Sequence, residues 1–331
     1  AALKAVALER AGRAEEALQL AREVGSSLRP PVDDHLLSTL LIPFRAVGKM
    51  EETVPFYEAA HAAEPDVAEL SDALLGIYLK VGAYAKAQQL AMRLYKAQSE
   101  TALLCGAVTC ILLQVDGMGP PRQPNRYYAD VPPAAGAATH LQLAGAMLAR
   151  AASNGKVTAA SHVRLYLEVL RRKAAHDDAL TLLTDHGSLL GNAAEVAHLK
   201  AELEERRGGW GAARAAYAAA LTAHAPDDWS AYQGMLRCAS RETAAGGDTA
   251  GADTPLAVIE AALSANPKLR GPQLAKVYLL LMRVAPSAAE RALAFSAHTT
   301  ISGAHAFNAS AETAAAAMEL LDVSAEGDAL P

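Results

Sequence analysis

A glycine that recurs at nearly constant spacing is the feature that most constrains how this chain can fold. Gly12, Gly48 and Gly82 are 36 and 34 residues apart, and each lies between two amphipathic helical segments. Glycine suits such a position because it adopts without strain the left-handed backbone conformation that ends a helix. Ala174 and Gly208, also 34 residues apart, extend the pattern. The spacing predicts repeated pairs of helices joined by tight turns.

Small residues and prolines recur in step with these turns. Five positions after each turn, inside the second helix, lies a small residue: Ala17, Thr53, Ala87, Ala179 or Ala213. A small side chain lets two helices approach closely, and Pro30, Pro65 and Pro226 follow where the second helix must stop. A two-helix unit of about 34 residues resembles the tetratricopeptide repeat (TPR). The resemblance implies an all-α fold, a TPR-like helical-repeat solenoid in which helix pairs stack into an α–α superhelix.

The composition favours the same fold class. The chain has 331 residues, 52% of them apolar and 5% aromatic, and it is rich in alanine and leucine, which favour helices over sheets. Its three cysteines contain no C-x-x-C pair, so they support neither a disulfide framework nor a zinc site and indicate a reducing compartment. The longest apolar run, 103–115, is too short to cross a bilayer. We expect a cytoplasmic protein. Because the sequence starts inside a helical pattern, we also expect it to be a piece of a longer protein.

Two stretches interrupt the period. Residues 116–136 contain five prolines and no helical pattern, which predicts an insertion loop, and residues 243–255 form a low-complexity segment that predicts a flexible linker. Pro43 and Pro55 fall within helical segments and predict kinks or shortened helices. The expected organisation is about three helix pairs and a further helix in 1–115, repeats in 137–242, further helices in 256–295 and a weakly ordered alanine-rich tail in 296–331.

One segment of the sequence matches a known cofactor-binding motif. Residues 206–211 fit the R-x-x-G-x-G loop that binds the acetyl-CoA pyrophosphate in acetyltransferases. Such a loop follows a β-strand, whereas the segment 195–205 is an amphipathic helix, so we predict a turn between repeat helices. Two acidic clusters, 33–35 and 176–178, lie at helix starts and are predicted to cap helices rather than to bind metal. No catalytic, cofactor-binding or metal-binding residue is predicted.

The remaining candidates are residues for binding partners. In stacked helix pairs, the first helix of each unit lines one side, and its residues near the turn project into the groove. Net charge is −6 with no long block of one sign, so nucleic acid is not indicated as the main ligand. Solvated helix faces explain the candidate charges as well as partner binding does. The repeat frame places these candidates near the rim: Arg45, Lys80, Arg171, Arg172, Glu205, Arg206 and Arg237.

Several strings resemble one family more closely than a generic repeat. They include LKAVALERAGRAEEALQLAREV, FYEAAHAAEPD, YLKVGAYAKAQQLAMRLYK and APDDWSAYQGML, and the most specific pieces are Asp227–Asp228–Trp229 with Tyr232, and Arg270–Gly271–Pro272. These strings are similar to the auxiliary, non-catalytic subunits of the N-terminal acetyltransferase B (NatB) complex.

The resemblance implies a scaffold, not an enzyme, that binds a separate catalytic acetyltransferase subunit as a heterodimer. It implies that acetyl-CoA is held by that partner, that the complex acetylates nascent chains beginning Met-Asp, Met-Glu, Met-Asn or Met-Gln, and that the scaffold helps to anchor it at the ribosome. Basic residues at helix ends, Lys173, Lys268 and Arg270, are candidates for contacts with ribosomal RNA. Solvation at helix ends explains these residues equally well, and neither membrane nor direct DNA binding is expected.

Three alternatives remain open from the sequence. A chaperone-binding TPR adaptor would carry a concentrated basic clamp for a C-terminal carboxylate, which the faces of the first helices do not resemble. The auxiliary subunit of the related acetyltransferase A complex shares the architecture, but its usual regular array of repeats fits less well than the strings above. An autonomous acetyltransferase would require a strand before Arg206.

Overall fold

The computed structural model describes residues 1–118, 136–244 and 253–284, and all regular structure in these ranges is helical. Most of the predicted insertion, most of the predicted linker and the whole predicted tail lie outside the described residues. The helices are α1 (Ala2–Arg10), α2 (Ala14–Ser26), α3 (Asp34–Val47), α4 (Val54–Ala63), α5 (Ala68–Lys80), α6 (Tyr84–Gln98), α7 (Thr101–Gly117), α8 (Ala137–Ser153), α9 (Ala160–Arg172), α10 (His176–His186), α11 (Ala193–Arg206), α12 (Trp210–Ala223), α13 (Trp229–Ala244), α14 (Asp253–Ala265) and α15 (Arg270–Val284).

The described helices fall into two compact units, with the division after Lys156. In the first unit, α1 packs on α2 and α3, and each of α4 to α7 packs on the helix that follows it. In the second unit, α11 packs on α12, α12 packs on α13, and α15 packs on both α13 and α14. Packing between helices that are close in sequence is the arrangement that a repeat of helix pairs predicts.

The turns confirm the glycine frame. Gly12, Gly48, Gly82 and Gly208 have φ of +76°, +73°, +75° and +84°, so each adopts the left-handed conformation that ends one helix and starts the turn to the next. Ala174, placed in the same frame by its spacing alone, also has a positive φ, of +55°. The repeat therefore preserves the backbone conformation where the glycine itself is absent.

The small residues of the frame are buried, but Thr53 lies in the 3-10 turn Met50–Thr53 before α4 and not inside the second helix as predicted. Thr53 is buried, and its hydroxyl donates a hydrogen bond to the carbonyl oxygen of Met50 at 2.7 Å, so its polar atom is satisfied inside the protein. The alanines at the equivalent positions are fully buried: Ala17, Ala87, Ala179 and Ala213. Larger side chains at these positions would push the paired helices apart.

Aromatic side chains fill the space between successive helix pairs. Tyr217 and Tyr232 are among the largest fully buried side chains, and Trp210 and Trp229 pack against the same core cluster of the second unit. The ring centroids of Trp229 and Tyr278 are 5.3 Å apart. Both tryptophans therefore pack against the core of the second unit. In the first unit, the rings of Phe44 and Phe56 pack 6.1 Å apart between α3 and α4.

The two prolines within helical segments behave differently. Pro55 lies in the first turn of α4, which a short 3-10 turn, Met50–Thr53, precedes, so this helix is shortened as predicted. In contrast, α3 runs through Pro43 to Val47 and is not shortened. The residues around Pro43 explain the difference, because Leu40, Leu41 and Phe44 are buried and this packing outweighs the poor helix propensity of proline.

Replacing Ala174 with glycine is expected to stabilise the protein. The left-handed conformation costs an alanine about 1 kcal/mol, and glycine removes that cost at a smaller penalty in chain entropy. Urea unfolding at neutral pH should therefore show a gain of about 0.5 kcal/mol. Gly82→Ala is the matched control, since Gly82 has φ of +75° and no atom within 4 Å of an added Cβ, and it should lose about 1 kcal/mol. A loss of stability in Ala174→Gly would contradict the shared turn geometry.

Candidate functional site

A row of ion pairs joins the first helices of successive pairs in the second unit. Arg164 on α9 donates to Glu195 on α11 at 3.0 Å, Arg171 on α9 pairs with Glu202 on α11, and Arg237 on α13 donates to Glu205 on α11 at 2.9 Å. The partners are 31 or 32 residues apart, close to one repeat. We call the set Arg164, Arg171, Glu195, Glu202, Glu205, Arg206 and Arg237 the charged ladder.

Glu202 and Glu205 each bind more than one donor group, and we call these two residues the nodes of the charged ladder. Glu202 accepts a hydrogen bond from Arg206, one turn further along α11, at 2.7 Å, and it also pairs with Arg171. The Glu202 and Arg206 side chains are only 12% and 13% exposed. Ion pairs as shielded as this are screened weakly by salt and hold both side chains in fixed rotamers. Beside this node, Arg172 donates to Glu168 at 2.6 Å along α9.

Glu205 is the second node and binds three donor groups. The Nε and Nη2 atoms of Arg237 donate to its two carboxylate oxygens at 2.9 and 3.0 Å, which is the bidentate geometry favoured by arginine and carboxylate. The hydroxyl of Tyr217 on α12 donates to the same carboxylate at 2.9 Å. Burial, together with the adjacent carboxylate, raises the pKa of Tyr217 above its usual value, so the phenol stays protonated and remains a donor.

The structure separates the predicted partner-binding residues into two groups. Arg45, near the end of α3, and Lys80, at the end of α5, are exposed in the first unit. The five in the second unit are Arg171, Arg172, Glu205, Arg206 and Arg237, all within or beside the charged ladder. Sequence reasoning selected these five by their distance from the turn and missed Glu202 and Tyr217. The recurrence of opposite charges at an interval of 31 or 32 residues would have revealed Glu202.

The other predicted positions lie at helix ends. Lys173 follows the last residue of α9, Lys268 lies two residues before α15, and Arg270 is the first residue of α15; all three are exposed. Asp33 caps α3 by accepting a hydrogen bond from the backbone amide of His35 at 2.9 Å, as predicted. Asp177 and Asp178 lie in the first turn of α10, where acidic residues complement the helix dipole. Within the described ranges, His, Cys, Asp and Glu side chains form no group of three suited to a metal ion.

The R-x-x-G-x-G segment is a turn between two helices. Arg206 ends α11 and Trp210 begins α12, with Gly208 in the left-handed conformation between them. The two helices pack against each other. The segment is therefore a turn between repeat helices, as predicted. It follows a helix, whereas the pyrophosphate loop of an acetyltransferase follows a β-strand. In the part of the chain that the structure describes, every helix is too short or too polar to cross a lipid bilayer.

The two most specific strings of the sequence meet in space. The side chain of Asp227 accepts a hydrogen bond from the backbone amide of Gly271 at 2.6 Å, although 44 residues separate them. A Cβ on Gly271 would lie 2.9 Å from the Asp227 carbonyl oxygen, so only glycine allows this approach. Asp228 caps α13 through the backbone amide of Ser230 at 3.0 Å, and its second carboxylate oxygen lies 3.5 Å from Nδ1 of His198 on α11. These strings fix α11, α13 and α15 to one another.

Comparison with known families accounts for these features. Residues 1–221, about two thirds of the chain, match the family model described as the N-terminal TPR repeats region of Psidin. This chain belongs to the Psidin TPR family. The helix pairs and left-handed turns of the structure agree with that assignment, and the TPR-like all-helical fold class predicted from the sequence is confirmed.

Curated relatives of this Psidin-family chain are named as NatB auxiliary subunits. The chain is 30% identical over 181 residues to the rat protein "N-alpha-acetyltransferase 25, NatB auxiliary subunit", an alignment that covers 55% of the chain and 17% of that protein. It is 28% identical over 244 residues to the Arabidopsis thaliana protein "N-terminal acetyltransferase B complex auxiliary subunit NAA25", covering 72% of the chain and 21% of that protein. The predicted family resemblance is confirmed. The chain spans about a fifth of the length of these relatives.

A solved structure shares the fold of the Psidin-family chain. The structure titled "Structure of Naa15/Naa10 bound to HypK-THB" superposes with a TM-score of 0.57 at 15% identity, covering 84% of this chain and 38% of the other. At this level of identity the likeness shows the fold alone.

Asp228 caps α13 and lies beside His198 on α11, and we call this contact the joint between the two helices. It is expected to make the stability of the Psidin-family chain vary with pH in the acid range. Burial raises the pKa of Asp228, but the nearby His198 ring and the hydrogen bond from the Ser230 hydroxyl outweigh it and lower the pKa to about 2, against 3.8 in the unfolded chain. Stability gained from this carboxylate is present above pH 3.8 and is lost as the pH falls towards 2. Because Asp228 is partly exposed, we expect a contribution of about 1 kcal/mol.

Urea unfolding of the wild type and of Asp228→Asn measures this contribution. Asparagine caps helices as well as aspartate does but does not titrate. The wild type should therefore be more stable by about 1 kcal/mol at pH 6, and the difference should shrink as the pH falls below 3.8 and disappear only below about pH 2. A difference that is constant across this range would show that the Asp228 charge has no part in the joint.

Proposed function

We propose that this chain is part of an auxiliary subunit that binds and positions a catalytic N-terminal acetyltransferase subunit and carries no catalytic residue itself. The observation that carries the proposal is the 30% identity to proteins named as NatB auxiliary subunits, within a family match over residues 1–221. The TPR fold supports it, because helix-repeat proteins present extended surfaces to partner proteins. Acetyl-CoA is then bound by the catalytic partner, and the cytoplasm is the compartment.

The charged ladder supports a scaffold with a fixed face. A subunit that positions an enzyme must keep its own surface rigid, because small displacements of a catalytic constellation reduce its rate. Shielded ion pairs at Glu202 and Glu205 join α9, α11, α12 and α13 and hold the guanidinium groups of Arg171, Arg206 and Arg237. In this proposal those side chains, with Arg172, present a preorganised charged face to the catalytic subunit.

Arg45 and Lys80 have a different part in the proposal. Both side chains are exposed near the ends of the first helices α3 and α5. Neither residue belongs to the charged ladder. In this proposal both side chains contact charged groups of the catalytic subunit directly. Substituting either one should weaken that contact while leaving the stability of the chain unchanged, since surface charges away from such networks contribute within about 0.5 kcal/mol.

The proposed substrates are nascent chains that begin Met-Asp, Met-Glu, Met-Asn or Met-Gln, and the proposed place of action is the ribosome. Lys173, Lys268 and Arg270 are exposed at helix ends and are the proposed contacts to ribosomal RNA. Phosphate contacts of this kind weaken as salt rises, because each releases counterions. Co-sedimentation with ribosomes that is lost on raising the salt supports this part, and salt-independent co-sedimentation contradicts it.

Acetyl transfer by the purified assembly tests the substrate class. The protein is tagged at its own chromosomal locus, purified with its partners, and supplied with isotope-labelled acetyl-CoA and two peptides that differ only in beginning Met-Asp or Ser-Asp. Label should enter the Met-Asp peptide alone, and the isolated chain should transfer none. Transfer to the Ser-Asp peptide instead would assign the protein to an acetyltransferase A type of complex, and transfer by the isolated chain would contradict the non-catalytic role.

A further inference from the structure

A cleft in the second unit lies on the side of α11 that the charged ladder does not use. It has a volume of about 560 Å³ and is bounded by α10, the 3-10 turn Gly187–Leu190, α11 and the end of α12. Leu183, Val196 and Ala197 form apolar walls, while Lys200 and His224 bring polar groups to it. A cleft of this size, mostly apolar with a few polar groups, is typical of sites that bind ligands.

The spacing of residues on α11 separates the cleft from the charged ladder. Val196 and Lys200 are four residues apart and share one face of the helix, and Ala197 lies beside them. Glu195 and Glu202 are seven residues apart and share the opposite face. The helix therefore presents a charged, internally paired face on one side and an apolar face with one cation on the other.

Lys200 differs from the other charged side chains of α11. It is partly buried in the cleft wall, and among the described residues no acidic side chain pairs with it. The acidic residues of the same helix all have arginine partners: Glu195 with Arg164, Glu202 with Arg171 and Arg206, Glu204 with Arg207, and Glu205 with Arg237. A partly desolvated ammonium group without a counter-charge is unfavourable, and an anion placed in the cleft would relieve that cost.

We propose that this cleft binds an acidic peptide segment of a partner protein, with an apolar side chain against Leu183 and Val196 and a carboxylate on Lys200. A peptide fits better than an inorganic anion, because a phosphate would leave the apolar walls in contact with water. His224 lies at the rim and adds a second donor for the same carboxylate. The cleft lies on a different face of α11 from the charged ladder, and its role as a docking site does not depend on the function proposed above.

Fluorescence anisotropy with two labelled peptides tests the proposal on the whole chain. The probes are Gly-Ser-Leu-Glu-Leu-Gly-Ser and the same peptide with glutamine in place of glutamate. The acidic peptide should bind saturably below about 1 mM and at least about tenfold more tightly than the neutral one, which is the size of effect a charge-assisted hydrogen bond produces. Lys200→Gln should abolish this preference, and Lys200→Arg should keep it.

Two further variants separate the cleft from general effects of charge and folding. Ala197→Trp fills the cleft and should abolish binding of both peptides, while Lys276→Gln, an exposed lysine on α15, should change nothing. Far-UV circular dichroism establishes that each variant is folded. Zero-length carbodiimide cross-linking should join the glutamate of the peptide to Lys200, as read by mass spectrometry.

Four results would overturn the proposal. They are equal binding of the acidic and neutral peptides, no binding of the acidic peptide up to about 1 mM, unchanged binding in Lys200→Gln, and full displacement of the peptide by inorganic phosphate at about the same concentration. The last result would show a site for small anions in general. A cross-link between two copies of the chain through Lys200 would instead assign the cleft to self-association.

Discussion

Replacing Glu205 with alanine is expected to destabilise the second unit by about 3 kcal/mol, because removal of one partner leaves a shielded charge uncompensated. The substitution would strip Arg237 of both its carboxylate contacts and leave the hydroxyl of Tyr217, a residue that is 1% exposed, without an acceptor. Urea unfolding followed by circular dichroism at neutral pH measures the loss. The midpoint should fall with the slope unchanged, since the folded surface is the same.

Glu195→Ala is the matched control on the same helix. Its partner Arg164 is 55% exposed, so the pair is screened by solvent and its loss should cost less than about 1 kcal/mol. Replacing Glu205 with leucine and Arg237 with methionine together should recover the part of the loss that comes from the uncompensated Arg237 charge, because a buried pair exchanged for apolar side chains is close to neutral, while the Tyr217 hydroxyl still lacks its acceptor. Equal effects of Glu205→Ala and Glu195→Ala would show that Glu205 is not a node.

Gly234→Ala is the second substitution with a large expected effect. A Cβ at this position on α13 would lie 2.3 Å from Cζ of Tyr217 and within 2.7 Å of two further ring atoms. The ring cannot move aside, since it is fully buried and its hydroxyl is held by Glu205. Overpacking of this severity should cost about 3 kcal/mol, which exceeds the gain of about 1 kcal/mol from replacing a helical glycine. Thermal and urea unfolding measure the difference.

Gly76 supplies the control for that substitution. It also lies within a helix, α5, but nothing is within 4 Å of an added Cβ. Gly76→Ala should therefore stabilise the protein by about 1 kcal/mol through helix propensity alone. If Gly234→Ala is also stabilising, the close packing of α13 on the Tyr217 ring is wrong.

The sequence was sufficient to predict the repeat because its signals are local. A left-handed turn residue and a fully buried small residue five positions later are each required by the backbone of one helix pair. Ala174 shows how far such signals reach, since spacing alone placed it at a turn where no glycine marks the site. The caps at Asp33 and the turn at Gly208 depend on neighbouring residues in the same way.

The candidate site was harder to predict because it depends on register between helix pairs. Glu202 and Arg171 come together only when α9 and α11 are packed side by side, so neither residue's own segment identifies the other. The cleft depends on the 3-10 turn Gly187–Leu190 between α10 and α11, which no periodic pattern predicts. Pro43 shows the reverse case, in which packing overrides a strong local signal.

The most direct test of the auxiliary role is to identify what co-purifies with the protein. The tagged protein, expressed from its own locus, is isolated at physiological salt, and the eluate is analysed by size-exclusion chromatography and mass spectrometry. We predict that a small acetyltransferase-fold subunit co-elutes with it in equal amounts. Recovery of the protein as a stable monomer without such a subunit, or of a monomer that transfers acetyl groups by itself, would contradict the auxiliary role.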